Sequence, residues 1–206
     1  MTDVEHLEFL VEEPSAEAGL SLILPRVLGD VTFAIHPYQG KRDLLAKLPM
    51  RLRAYVRWIP ASVRIVVLVD RDNDDCYNLK ANLEQIAMNA GLSTASSRAS
   101  STSDYQVLNR IAIEELEAWY FGDWEAVRVA YPRVSASTTR RARYRDPDGI
   151  PGGTWEAFER VLKQAGYFKG GLGKITAARE IAPNMDPAHN RSASFQVLYQ
   201  ALLRLN

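Results

Sequence analysis

The stretch RIVVLVDRDND, residues 64–74, decides how this chain is read. Ile65, Val66, Val67, Leu68 and Val69 form an unbroken apolar run rich in β-branched residues, which suits a strand buried on both faces. Asp70, Asp72 and Asp74 then follow at alternate positions. Carboxylates two apart on an extended segment point to the same side, and the carboxyl end of such a strand is where α/β proteins gather their ligands.

Working back from this strand, HLEFLVEE (6–13) has the look of an earlier one and also ends in acids, Glu12 and Glu13. In PSAEAGLSLILPRVL, Leu20, Ile23, Leu24, Val27 and Leu28 recur at helical spacing. Pro25 is expected to end or kink that helix, because it lacks a backbone donor and crowds the preceding turn. VTFAIHPY (31–38) is the next strand, bounded by Gly29 and Gly40, and RDLLAKLPMRLRAYVRWI is helical with an interruption expected at Pro49. Beyond the acid-tipped strand, Leu79, Leu83, Ile86, Ala87 and Ala90 share one helical face that closes at Gly91. Strands and helices alternate up to Gly91, which predicts an α/β fold: a mainly parallel sheet with helices on both faces.

The second half is less regular. LSTASSRASSTSD reads as a loop with room for a short edge strand, and YQVLNRIAIEELEAWYFGDWEAVRVAY begins as a strand and turns helical near Glu114. Residues 132–153, rich in Arg, Gly and Pro, read as a long loop. TWEAFERVLKQAG is an amphipathic helix stopped by Gly166, and YFKGGLGK is a Gly-rich turn into a short helix. Phe195, Val197, Leu198, Ala201, Leu202 and Leu205 make a last apolar helical face. The expected organisation is one globular unit, with an α/β core over 1–130 and a basic loop and helical C-terminal extension, 131–206, packed on it.

The chain has 206 residues, 47% of them hydrophobic, enough for one substantial core. Lys plus Arg number 25 and Asp plus Glu also 25, so no global field holds it on nucleic acid or an anionic membrane, and any phosphate binding must be local. The single cysteine, Cys76, excludes an internal disulfide and a multi-cysteine zinc site, and His6, His36 and His189 are scattered without ligand spacing. With no apolar run of about 18 residues and an acidic start, the chain reads as a soluble, cytoplasmic protein without a membrane partner.

Asp70 to Asp75 also suit an N-cap and a solvated turn before a helix near Asn78, although a cap needs only one Asp. An EF-hand loop fails, since Asp75 stands at its sixth place and Ala81 at its twelfth, where Gly and Glu are needed. A haloacid dehalogenase pattern also fits poorly: the strand is the third, and Asp74 stands where Thr or Val is usual. Glu12 beside an Asp pair would form a hard-oxygen site suited to Mg²⁺ or Mn²⁺. Glu13 and Glu17 equally suit the positive end of the following helix.

LVEEPSAEAGL and VVLVDRDND resemble the two acidic motifs of the TOPRIM domain of topoisomerases, bacterial primases and OLD-type nucleases, with Glu12 as the Glu and Asp70 and Asp72 as the Asp pair. IAIEELEAWYFGD, GKITAAREIAPNMD and NRSASF resemble an uncharacterised TOPRIM-like bacterial family, a domain of unknown function whose members often stand beside AAA- or ABC-type ATPases. The resemblance implies a TOPRIM-like (Rossmann-like) core, with Glu12 moving a proton or binding metal and Asp70 and Asp72 as Mg²⁺ ligands. It adds Glu117 as a further acid and Lys174 as a catalytic Lys. The usual TOPRIM Glu-Gly reads Glu12-Glu13 here, which removes the freedom that Gly gives a turn.

The resulting expectation is a Mg²⁺-dependent nuclease acting on DNA or RNA with an ATPase partner, in phage defence. Glu12 and Lys174 would be catalytic, and Asp70, Asp72, Glu12, Glu117 and Asp74 metal-binding. Lys174 with Gly170, Gly171 and Gly173 can meet phosphate, or can simply open a helix. Arg140, Arg141, Arg143, Tyr144 and Arg145, with Arg133 nearby, can hold a nucleic-acid strand by pairing and stacking, or can form a solvated surface. The competing expectation is a non-catalytic adaptor or regulatory subunit of an AAA- or ABC-type ATPase that senses phosphate or metal.

Overall fold

The computed structural model describes residues 3–97 and 105–205. Four strands, β1 (His6–Val11), β2 (Thr32–Pro37), β3 (Val63–Asp70) and β4 (Val107–Ala112), form one all-parallel sheet in the order β2-β1-β3-β4. The helices are α1 (Pro14–Leu28), α2 (Lys41–Val56), α3 (Cys76–Asn89), α4 (Glu117–Gly122), α5 (Trp124–Ala130), α6 (Thr154–Gln164), α7 (Lys174–Ile181) and α8 (Ala193–Leu203). The result is the Rossmann-like α/β fold expected, with its helical C-terminal segment.

Alternation along the strands splits the apolar residues between two layers. Phe9, Val66, Leu68 and Leu108 face a large core shared with α1 and α4 to α8. Leu10, Ile65, Val67 and Val69 face a smaller one covered by α2 and α3. Each such side chain taken out of water contributes about 2 kcal/mol.

Neither proline ends its helix: α1 runs through Pro25 and α2 through Pro49. Pro25 lies on the solvent side of α1, where water can satisfy the carbonyl it leaves free, while Leu20, Ile23, Leu24, Val27 and Leu28 stay buried on the other side. Leu44, Leu48, Leu52 and Tyr55 likewise hold α2 to the sheet. The expected long loop at 132–153 is instead a compact run of 3₁₀ turns, Thr138–Arg140, Ala142–Tyr144 and Pro147–Gly149, with Val134, Tyr144 and Ile150 buried. In the Ser-rich segment Thr94 makes a single parallel bridge to Val107, and 98–104 lies outside the described residues.

The strand order fixes where chemistry can gather. The chain leaves β1 for β2 on one side, then returns past β1 to β3 on the other. The carboxyl ends of β1 and β3 therefore flank the point where the winding reverses, and a crevice opens there in doubly wound sheets.

Candidate active site

β1 and β3 are in register, with Val11 beside Leu68, so the residues that follow them meet. The Glu12 carboxylate accepts a hydrogen bond of 3.1 Å from the Asp70 backbone N–H. Gly40, with φ +96°, turns the chain so that its N–H reaches the Glu12 carbonyl at 2.9 Å. Asp70 ends β3 and is only 8% exposed.

Two distant segments close over these acids. Glu117, in the first turn of α4, is 1% exposed, and its Oε2 is buried without a hydrogen-bond partner. Lys174, the first residue of α7, reaches Glu13 at 3.3 Å and Glu117 at 3.8 Å. Its ammonium also lies 5.8 Å from the centre of the Trp155 ring. Trp155 is held by Glu115, whose carboxylate accepts from the Thr154 hydroxyl at 2.9 Å and the Trp155 N–H at 2.8 Å and so caps α6. Glu13, Ser15, Gly173, Lys174 and Thr176 line an open cleft of about 320 Å³ at the starts of α1 and α7.

Burial and mutual repulsion set the protonation of this cluster. Loss of water pushes the Asp70 carboxyl well above its ordinary range, and Glu12, Glu117 and Glu13 push the same way. Burial pushes Glu117 up to about 7 against the opposing charge of Lys174. Glu12 is raised by burial and by Asp72, although the Asp70 N–H favours its ionised form. Burial opposes the charge on Lys174, but Glu117, Glu13 and Asp70 outweigh it and hold its pKa above the usual value. The Tyr120 hydroxyl, buried without a partner, feels the same acids.

The acids after Asp70 take another course. Asp72 has φ +48°, so the segment leaves the extended conformation on which the same-side expectation for Asp70 and Asp72 rested, while Glu12 still feels the Asp72 charge. Lys41, at the start of α2, pairs with Asp72 at 2.7 Å and Asp74 at 2.8 Å and donates to the Arg71 carbonyl at 2.9 Å. Arg71 itself pairs with Glu114. Asp74 is thus half exposed and engaged by a lysine, and Asp75 caps α3 by accepting from the Asn78 N–H at 2.8 Å.

The basic loop divides in the same way. Arg140, Arg141, Arg143 and Arg145 are exposed, but Tyr144 is 3% exposed, stacked on Phe121 at 5.3 Å and covered by Arg143. Tyr144 is therefore a core residue, and the expectation that it stacks on a base is corrected. Arg133 lies over the Tyr167 ring and donates to the Gly166 carbonyl. Lys41, Glu115 and Tyr120 went unread in the sequence, the first although it directly follows Gly40 at a helix start.

As they stand, no three His, Cys, Asp or Glu side chains among the described residues are disposed to hold a metal ion. The donor chemistry nevertheless fits a hard cation. Mg²⁺ commonly takes only one or two carboxylates and fills its octahedron with water and phosphate oxygens, and Asp70 and the Glu117 oxygen without a hydrogen-bond partner are carboxylates of that kind. Among the described residues no helix is long and apolar enough to cross a membrane.

Residues 11–203 match the family Domain of unknown function (DUF4276), and the chain belongs to that family. Neither curated proteins nor solved structures yield a match.

Proposed function

We propose that this member of the DUF4276 family is a Mg²⁺- or Mn²⁺-dependent nuclease of the TOPRIM type, cleaving phosphodiester bonds in DNA or RNA beside an AAA- or ABC-type ATPase in phage defence. One observation carries this: Glu12, Asp70 and Glu117, from three separate elements, gather with Lys174 at the point where the sheet's winding reverses. Acids drawn together against their own repulsion favour a site that takes a cation.

Asp70, with Glu12 and Glu117 beside it, would hold the metal. Bound there, the cation supplies polarisation of a phosphoryl oxygen and offsets charge that develops on it. Lys174, at the open end of α7, meets a non-bridging phosphate oxygen. Glu117, with its carboxyl near neutrality, can hold or release a proton at working pH. The exposed Arg140, Arg141, Arg143 and Arg145 offer contacts to a polyanion backbone that zero net charge does not otherwise attract.

A second reading has its own support. Lys174 and Lys41 already place ammonium ions against Glu13, Glu117, Asp72 and Asp74, which suits a regulatory subunit of the ATPase that senses phosphate without cleaving anything. Titration of Mn²⁺ into the purified protein, followed by assays on linear and circular DNA and on RNA with and without the ATPase, separates the two. Metal binding and cleavage that both vanish in Asp70→Asn support the nuclease. Wild-type protein that cleaves nothing under any metal or nucleotide condition, while binding the ATPase, establishes the adaptor.

A further inference from the structure

β4 pairs with β3 on one side and leaves its other edge outward. At Val107 that edge is covered: its N–H donates to the Ser93 carbonyl at 3.0 Å and its carbonyl accepts from the Ala95 N–H at 2.9 Å. Farther along, the edge opens into a mainly apolar cleft of about 330 Å³, a size that suits small-molecule sites. Tyr77 and Lys80 of α3 form one wall, Ser194 and Val197 of α8 the other, and Arg110 and Ile111 the floor. A second cleft of about 290 Å³ continues from it, shares Arg110 and Val197, and adds Gln196, Gln200 and Arg204.

The charged groups here differ in how well they are served. Lys80 pairs with Glu84 at 2.8 Å and donates to the Asn109 carbonyl at 2.6 Å. Asp148, on the rim, accepts from the Ser192 hydroxyl at 2.7 Å and the Ser194 N–H at 2.8 Å. Arg110 has one hydrogen bond, from Nη1 to the Asn109 carbonyl at 3.0 Å, and its Nε is buried with no partner. Among the described residues neither Arg110 nor Arg204 forms an ion pair with a carboxylate. Withdrawal from water pulls the Arg110 guanidinium below its usual pKa, and Arg204 pulls the same way against the opposing influence of Tyr105 and Glu84. A half-buried guanidinium with an unpartnered Nε and no direct ion pair among the described residues, at the junction of an apolar cleft and a polar one, is complementary to an anion with an apolar body. Tyr77 and Val197, 86% and 55% exposed, offer that body a face on each side.

We propose that this edge cleft is a binding site for a small aromatic anion, its phosphate or carboxylate on Arg110 and Arg204 and its ring between Tyr77, Ile111 and Val197. The site is separate from the acids and does not depend on the nuclease reading. Calorimetric titration of the full chain with phenyl phosphate, phenol and inorganic phosphate tests it. Phenyl phosphate should bind, with phenol and inorganic phosphate each at least tenfold weaker, because each fills half of the site. Arg110→Gln should weaken phenyl phosphate by tenfold or more, about 1.4 kcal/mol. Val197→Glu, at an exposed position that leaves folding intact, should abolish binding, and Lys174→Met should leave it unchanged. Equal affinity in wild type, Arg110→Gln and Val197→Glu would overturn the proposal. So would loss of binding in Lys174→Met alone, in protein that circular dichroism shows to be folded, or no binding of phenyl phosphate at millimolar concentration.

Discussion

Asp70 and Asp74 belong to one short run of acids, yet the two ends of that run sit in different solvents. Asp70 is 8% exposed, with Glu12, Glu117 and Glu13 as its charged neighbours and Lys174 as a cation that relieves it. Asp72 and Asp74 have side chains 42% and 52% exposed, and Lys41 stands between them. The same residue type is burdened at one end and satisfied at the other. What separates them is the order in which the chain offers counter-ions, and the burdened end is where a ligand has most to contribute.

Asp70→Asn tests the contrast most strongly. In the nuclease it should reduce cleavage by three orders of magnitude or more, about 4 kcal/mol of transition-state stabilisation. Asp74→Asn should leave cleavage within about twofold, since that side chain only shares Lys41. Equal losses in both variants would erase the distinction. Because Asp70 is an acid made costly to ionise, Asp70→Asn should unfold at the same or a higher denaturant concentration than wild type.

The two lysines provide the next comparison. Lys174→Met leaves Glu117 buried without its cation and should destabilise the protein by about 3 kcal/mol in urea unfolding at pH 8. The loss should shrink on acidification, as the acids take up protons instead.

Glu117 itself gives a pH signature. Its folded pKa is raised from 4.5 to about 7, so the folded state binds the proton more tightly. The stability this contributes is fully present below pH 4.5 and falls as pH rises toward 7. Glu117→Gln should remove that decline and leave the variant more stable than wild type above neutrality, by up to about 3 kcal/mol. Unfolding curves with an unchanged slope between those pH values would place the titration elsewhere. The smallest effect is expected for Lys41→Met, about 1 kcal/mol or less, because its partners are well solvated.

Much of this was legible in the primary structure. Glu12 and Asp70 meet because two apolar runs that end in acids become adjacent parallel strands, and both runs are visible by composition. Glu117 and Lys174 carry no local signal of that kind. Glu117 comes soon after β4 and Lys174 only after a long stretch of chain, and both are read through family resemblance, since nothing in their spacing tells which helices will close over the sheet. Tyr144 misled because its basic surroundings describe the surface while its ring packs inward on Phe121. Pro25 does not end α1 because a proline is only as disruptive as the burial of the carbonyl it frees, and that side of α1 faces water. The left-handed turn at Asp72 is a single-residue event with no periodicity to reveal it.

The pairing of Lys174 with Glu13 spans 161 positions, and this gives the molecule a direction in time. A ribosome adding about 5–20 residues per second presents the acids of β1 and β3 well before their cation emerges. Until then the first half of the chain carries a knot of negative charge that opposes its own closure at neutral pH. Arrival of α7 supplies both an apolar flank for α1 and the missing positive charge. α7 thus acts as a latch, and the crevice takes its final form only after that helix has been made.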